Sequence, residues 1–238
     1  MTADDYVFPP QPRAFVAIAG DRRRFPARRI FCVGLNYAAH AREMGAEPGA
    51  EPPFFFAKPA DAIVADGATI PYPPKTANLH HEIELVAALG AGGANIAKDR
   101  ALDHVFGYAA GIDLTRRDLQ TQARDHGRPW DLSKGFDNSA PIGAIRPAAT
   151  IGHPATGRIE LSVNGDLRQA GDLSDMIWSV ADIIAILSRF VTLAAGDLIF
   201  TGTPSGVGPV GPGDRMAGAI AGVGTVSIAI AVRASQLT

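Results

Sequence analysis

The segment His81-Glu82-Ile83-Glu84-Leu85-Val86 constrains this chain more than any other. Ile83, Leu85 and Ala87 alternate with Glu82, Glu84 and Val86 in an aliphatic run, which is the pattern of a strand. A period of two puts both glutamates on one face, with Cβ atoms roughly 6–7 Å apart. Carboxylates that close repel each other unless a positive charge lies between them, and a divalent cation with oxygen ligands supplies one. Asp113, closing the run Gly107-Tyr108-Ala109-Ala110-Gly111-Ile112-Asp113, offers a third carboxylate from a second strand. Three carboxylates without a nearby cysteine favour magnesium or manganese over zinc. The same spacing describes a solvated strand face with two surface glutamates, so the rest of the chain has to decide.

With 238 residues, 47% hydrophobic and 19% charged, there is material for one large domain with a sizeable core. A net charge of -2 gives no bulk attraction to nucleic acid or to an anionic membrane. The 26 glycines and 18 prolines are scattered, implying many turns and therefore many strands. The single cysteine, Cys32, excludes an internal disulfide framework and reads as a buried thiol. Met1 to Gln11 lacks the charged-then-apolar pattern of a secretory signal. The longest uncharged run, Met216 to Val232, is short for a membrane helix, broken by glycine, and alternates like strands. A soluble, cytoplasmic protein is the expectation.

Residues 1–28 read as an N-terminal arm with a short strand at Ala14 to Ala19. Its cluster of Arg22, Arg23, Arg24, Arg28 and Arg29 reads as a solvated edge or subunit contact rather than a nucleic-acid patch. Arg29 to Gly34 reads as a buried strand, followed by a helix from Tyr37 to Met44 that Asn36 can cap and Gly45 ends. His40 and Glu43 stand at i and i+3 there, so their side chains meet. An imidazole oriented by a carboxylate is how a general base is assembled, although an incidental surface ion pair has the same spacing. The helix and the proline-rich loop Ala46 to Pro53 suit a mobile lid. Lys58 ends the strand Pro53 to Pro59, either as an anion ligand or as a strand terminus.

Asp99 can cap a helix from Arg100 to Val105, and Thr115 with Asp118 makes a capping box for the next helix. That helix carries Arg117, Gln120 and Arg124 as one polar stripe. Arg117 and Gln120 are suited to hold a substrate carboxylate, unless the stripe is an exposed helical face. Lys134 sits between small residues in a charged, aromatic loop from Asp125 to Asp137, where its ammonium can approach a ligand. Asn164-Gly165 predicts a hairpin, and Ser179 with Asp182 a capping box for a helix burying Ile183, Ile184, Leu187, Phe190 and Val191. Gly206, Gly208 and Gly211 match a dinucleotide fingerprint formally, but Pro209 interrupts it and no helix follows. The chain has no Gly-x-Ser-x-Gly elbow, so a serine-hydrolase reading is poor.

Six fragments then stand in order from about Arg29 onward: Gly34-Leu35-Asn36-Tyr37-Ala38-Ala39-His40, Phe56-Ala57-Lys58-Pro59, His80-His81-Glu82-Ile83-Glu84-Leu85, Gly111-Ile112-Asp113 through Leu119-Gln120, Lys134-Gly135-Phe136-Asp137, and Gly196-Asp197-Leu198 through Gly202-Thr203-Pro204. Together they resemble the fumarylacetoacetate hydrolase family, within it the short acylpyruvate hydrolases of aromatic degradation. Thr115-Arg116-Arg117-Asp118 and Gly127-Arg128-Pro129-Trp130-Asp131 fit that branch. The resemblance implies an α+β fold of mixed β-roll, barrel-like sheets with flanking helices, with residues 29–238 as a single catalytic domain in a homodimer. It implies one divalent ion, Mg2+ with Mn2+ or Ca2+ as alternatives, held by Glu82, Glu84 and Asp113. His40 and Glu43 would activate water, Lys134 and Gln120 would contact substrate oxygens, and Arg117, Lys58 and Thr203 are further substrate contacts carried over. The implied reaction is hydrolysis of the C–C bond of a 3-acylpyruvate, a small keto acid, with fumarylpyruvate as the expected case. One position departs from the family: Leu35 stands where an arginine is usual. Decarboxylation of oxaloacetate, or decarboxylation or isomerisation of a related diacid, is the alternative on the same chelate. A non-catalytic module binding a metal or small acid is the alternative of another class.

Overall fold

The computed structural model describes residues 6–49 and 51–232; residues 1–5 of the arm, residue 50 of the loop and residues 233–238 lie outside the described residues. The strand Ile83–Leu89 occupies the middle of an eight-stranded mixed sheet. Its order is Phe55–Lys58, Arg29–Val33, Asp197–Phe200, Ile83–Leu89, Val105–Ile112, Ala140–Ile142, Ile63–Ala65, with Arg146–Pro147 added beside Val105–Ile112. A five-stranded sheet runs Asp166–Asp172, Arg158–Val163, Arg215–Ile220, Gly224–Ile230, Ala68–Ile70. A small three-stranded sheet joins Thr115–Arg116, Leu79–His81 and Gly208–Val210. The helices are few and short: α1 (Ala38–Glu43), α2 (Arg117–Asp125), α3 (Asp131–Lys134), α4 (Ala148–Ile151) and α5 (Val180–Leu187). This is the α+β arrangement of mixed sheets with flanking helices that the resemblance implies.

Every residue of Ile83–Leu89 is buried, because both faces of the strand are covered. Ile83, Leu85, Ala87 and Leu89 enter one core with Leu161, Met216, Val226 and Ile228 of the five-stranded sheet and Ile183, Ile184 and Leu187 of α5. Val86 and Ala88 enter a second core with Ile30, Cys32, Leu198 and Phe200, closed by Val16 and Phe25. Each fully buried aliphatic side chain contributes about 1.5–3 kcal/mol, so neither face has room for a solvated glutamate. Glu82 and Glu84 are 4% and 2% exposed, which excludes the surface-strand reading.

The turn signals are borne out unevenly, and long-range partners explain the misses. Asn164 and Gly165 form the expected tight hairpin with φ of 54° and 92°, and Ser179 caps α5 reciprocally with Asp182. Asn36 does not cap α1. Its amide instead donates to the carbonyls of Trp178 and Thr201, and its carbonyl accepts from Trp178 N–H. Thr115 is drawn into strand pairing opposite His80, so α2 begins at Arg117 without a side-chain cap. Asp118 instead takes the Thr76 hydroxyl at 2.6 Å and the Ala77 amide at 2.9 Å. Lys98–His104 is a 3-10 segment, with Asp99 in its first turn rather than at its cap. Phe190, expected in the core, lies beyond the end of α5 and is 73% exposed.

The N-terminal strand expected at Ala14 to Ala19 is one half of a hairpin, Phe15–Ile18 with Asp21–Pro26. The arginine cluster is divided among local partners: Arg23 pairs with Asp21 and Arg24 lies over the Phe15 ring. Arg28 and Arg29 converge on the fully buried Asp197, which also accepts from Ala194 N–H at 2.9 Å. Asp197→Ala is expected to cost about 2–4 kcal/mol, since it strips two guanidinium groups and one buried amide of their acceptor. Urea unfolding reads this as a lowered midpoint at unchanged slope; a loss under about 1 kcal/mol would mean the cluster is solvated independently of Asp197. Among the described residues no helix is long and apolar enough to cross a membrane.

Candidate active site

Strand register assembles the carboxylates. Ile83 pairs with Ile112 and Glu84 with Gly111, and the Asp113 amide donates to the Glu82 carbonyl at 2.8 Å. Asp113 therefore stands opposite Glu82 on the face that Glu84 shares, where directly opposed side chains are neighbours. Gly111 leaves the place opposite Glu84 without a side chain; a Cβ there would lie 2.6 Å from Val86 and 2.8 Å from Phe200. One oxygen from each of Glu82, Glu84 and Asp113 lies within 4.8 Å of the others.

Three cations surround the trio. Lys134 donates to Glu82 Oε2 and Asp113 Oδ2, each at 2.8 Å. Lys58 lies 2.8 Å from Asp113 Oδ1 and donates to the carbonyls of Leu114 and Lys134. Arg117 holds Glu82 Oε1 and the side-chain oxygen of Gln120, and its Nε donates to His80 Nδ1. Burial, with the Arg117 charge beside it, pulls His80 down to about 4, so its ring is neutral and can accept that bond. Burial opposes charge on Glu82, but Lys134 and Arg117 more than offset it and hold the carboxyl well below its usual range. Burial also opposes the Lys134 ammonium, and Asp113 and Glu82 still raise its pKa. Glu84 has no such cation: burial, then Asp113 and Glu82, push its carboxyl well above the usual range.

The trio fits a divalent ion. Its donors are all oxygen and come from two rigid strands, as hard cations require. Asp113 Oδ1 makes no hydrogen bond even with the Lys58 ammonium close by, because the angle is poor, so a lone pair remains for a ligand.

Across the cavity, His40 Nδ1 lies 2.8 Å from Glu43 Oε2. His40 is buried on α1, whereas Glu43 is a third exposed. The other Glu43 oxygen accepts the Gly206 amide at 3.0 Å, which ties α1 to the loop after Asp197–Phe200. That loop is fixed from behind by the fully buried Gln169, whose amide donates to Thr203 Oγ1 and to the Pro204 carbonyl. Its oxygen lies within hydrogen-bond reach of His81 Nδ1 and accepts from Ile83 N–H. At the start of the loop, Gly202 N–H donates to Glu84 Oε2 at 2.7 Å. His40, Glu82, Glu84, Lys134, Gln120 and Thr203 all line one cavity of about 460 Å³, walled by Leu35, Met44, Phe54, Phe56 and Trp130.

The family model described as fumarylacetoacetate (FAA) hydrolase C-terminal matches residues 29–231. The chain belongs to the fumarylacetoacetate hydrolase family. A fumarylpyruvate hydrolase of Pseudomonas aeruginosa, crystallised with Mn2+ and pyruvate, is 53% identical and superposes with a TM-score of 0.93 over 96% of this chain and 100% of its own. A fumarylpyruvate hydrolase of Ralstonia sp is 44% identical over 180 residues, 76% of this chain and 93% of the relative. A mitochondrial oxaloacetate tautomerase of Mus musculus is 43% identical over 209 residues, 88% of this chain and 93% of the relative. The family relation makes this chain an enzyme of the class that hydrolyses carbon–carbon bonds in ketonic substances, taking a small-molecule substrate.

Within this family fold, His40, Glu82, Glu84, Arg117, Gln120, Lys134 and Thr203 line the cavity, while Glu43 and Asp113 are held against His40 and Lys134, which do line it. Lys58 does not line the cavity; it is fully enclosed behind Asp113, a support for that carboxylate rather than a wall of the pocket. Arg117 reaches the cavity but directs its nitrogens at Glu82, Gln120 and His80. Gln169, Gly202 and Gly206 have no site role expected from the sequence. The only local signals are the two glycines, both at φ +94°, a region L side chains rarely adopt.

Proposed function

We propose that this enzyme hydrolyses the C3–C4 bond of a 3-acylpyruvate, converting fumarylpyruvate to fumarate and pyruvate, as a cytoplasmic homodimer in aromatic catabolism. One observation carries the reading: His40, held by Glu43, lines the same cavity as Glu82 and Glu84 of a carboxylate trio suited to a divalent ion. The manganese and pyruvate of the Pseudomonas aeruginosa relative support it, and the ion we assign to Glu82, Glu84 and Asp113 is Mg2+, with Mn2+ or Ca2+ as alternatives. Bound there, the cation would supply Lewis-acid polarisation of the substrate's 2-keto group.

The remaining chemistry belongs to side chains. With Nδ1 committed to Glu43, His40 presents Nε2 to take a proton from a water that attacks C4. Glu43 fixes the orientation of the ring. Lys134 has spent two of its three N–H groups on Glu82 and Asp113, so the third is free for the oxyanion forming on C4. Gln120, its oxygen taken by Arg117, has its NH2 group to offer a substrate oxygen, and Thr203 has its hydroxyl hydrogen. As C3–C4 breaks, its electron pair moves onto the pyruvyl fragment, and the proton held by His40 can pass to C3.

Gly206→Ala tests the support of the dyad. A Cβ there would lie 2.2 Å from the Arg168 carbonyl, so the loop must shift and Glu43 loses its amide partner. A fall in kcat of about 10–100-fold is expected at unchanged metal affinity, as for other mispositioned catalytic groups; wild-type kcat would detach the loop from the dyad.

Equal release of fumarate and pyruvate from fumarylpyruvate tests the reaction itself. The oxaloacetate tautomerase relative favours one other reading, an enolising or decarboxylating action on oxaloacetate at the same site. Consumption of oxaloacetate with acylpyruvates untouched would establish that reading instead.

A further inference from the structure

Arg117, Gln120 and Arg124 fall on one face of α2, and all three line the cavity. The first two are bound to each other and, through Arg117, to Glu82. Arg124 is not engaged in this way. Its polar contact among the described residues is a 3.5 Å approach of Nε to Asp125, and half of its side chain is exposed.

The cations of the inner site are already engaged. Lys58 and Lys134 hold Asp113, Lys134 and Arg117 hold Glu82, and the remaining N–H of Lys134 is the one assigned to the oxyanion, so a second acid group on a substrate needs a cation elsewhere. Among the described residues lining the cavity, Arg124 is the cation that no site carboxylate holds. It also stands at a distance: seven residues of helix place it about 10 Å along the axis from Arg117. The same cavity is also lined by the uncharged Leu35, Met44, Phe54, Thr121 and Trp130, with Phe54 and Trp130 packed edge to face at 5.3 Å. A half-exposed guanidinium beside a mostly apolar wall is a fork for a carboxylate, strengthened where rings exclude water.

We propose that Arg124 receives the carboxylate at the far end of the acyl chain and so selects acylpyruvates whose acyl group is itself an acid. The proposal rests on the acylpyruvate reading of the inner site and adds the determinant of acyl-group preference. Loss of one charge-assisted contact at a half-exposed arginine corresponds to about 10–50-fold in selectivity.

The test compares fumarylpyruvate with acetylpyruvate, whose acyl group is neutral, on the metal-loaded full chain. In Arg124→Gln the ratio of kcat/KM for fumarylpyruvate to that for acetylpyruvate should fall about 10–50-fold, chiefly through KM. Arg124→Lys should recover part of the ratio, because it keeps the charge and loses the fork. Fumarate titrated calorimetrically should bind Arg124→Gln more weakly than wild type by a similar factor, with pyruvate binding as the internal comparison. An unchanged ratio, or an equal loss on both substrates, overturns the proposal and leaves the hydrolase reading standing. If wild type turns over neither substrate, the hydrolase reading fails. The fumarate titration still decides, since equal binding by wild type and Arg124→Gln overturns the role of Arg124 and weaker binding upholds it.

Discussion

Replacing His40 by alanine is expected to lower fumarylpyruvate turnover by about 10²–10⁴-fold, the usual contribution of a general base, with divalent-cation affinity unchanged. The separation of the two effects follows from geometry. His40 stands on α1 with its Nδ1 on Glu43, whereas the carboxylate trio comes from two strands of the eight-stranded sheet and its own lysine and arginine partners. Removing the imidazole leaves those contacts as they are. Glu43→Gln should lose less, because the ring remains and only its orientation is weakened. Single-turnover rates with saturating metal, beside calorimetric metal titrations, read the two quantities independently. Wild-type turnover in His40→Ala would remove the dyad from the chemistry and favour a reaction that needs no attacking water.

Asp113→Ala and Glu84→Gln should both abolish metal binding, yet differ sharply in stability. Asp113 lies between the ammonium groups of Lys58 and Lys134, both almost fully buried. Its removal leaves the buried Lys58 ammonium without a carboxylate and Lys134 with Glu82 alone, and breaking such an arrangement costs about 3–5 kcal/mol, or roughly 10 °C in melting temperature for a chain of this size. Glu84 is the opposite case. Burial and its two carboxylate neighbours already favour its neutral form in the metal-free protein, so the isosteric amide should hold metal-free stability within about 1 kcal/mol. The sign of its pH dependence follows. The folded protein keeps a proton on Glu84 that the unfolded chain releases above the ordinary carboxylate range, so metal-free stability falls as pH rises beyond that range. Glu84→Gln removes that slope. It also removes the stabilisation of about 2.7 kcal/mol that Mn2+ at 100 times its Kd gives wild type. Thermal melts across pH with and without Mn2+ check all of this, and a Glu84→Gln protein still stabilised by Mn2+ would take Glu84 out of the ligand set.

The chemistry of this site is legible in the sequence wherever local periodicity fixes geometry. Period two puts Glu82 beside Glu84, and helical spacing puts His40 beside Glu43, whatever the rest of the chain does. What the sequence hides are contacts between distant segments: Gln169 bracing the Thr203–Pro204 loop, Gly202 on Glu84, Gly206 on Glu43. The capping errors have the same origin. Asn36 and Asp118 are good local caps by type, but Trp178 and Thr76, far along the chain, claim their side chains first. Burial of the central strand on both faces is equally invisible, because Glu82 and Glu84 give it an amphipathic look, while Lys134 and Arg117 meet the charge of Glu82 and burial favours the neutral form of Glu84.

Ultraviolet absorbance of fumarylpyruvate, followed with purified protein and Mg2+ or Mn2+ and again after a chelator, is the sharpest test of hydrolysis at this site. Metal-dependent loss of the substrate with equal yields of fumarate and pyruvate, halted by the chelator, is the expected result. A steady signal with metal present, or loss that continues in chelator, would contradict it.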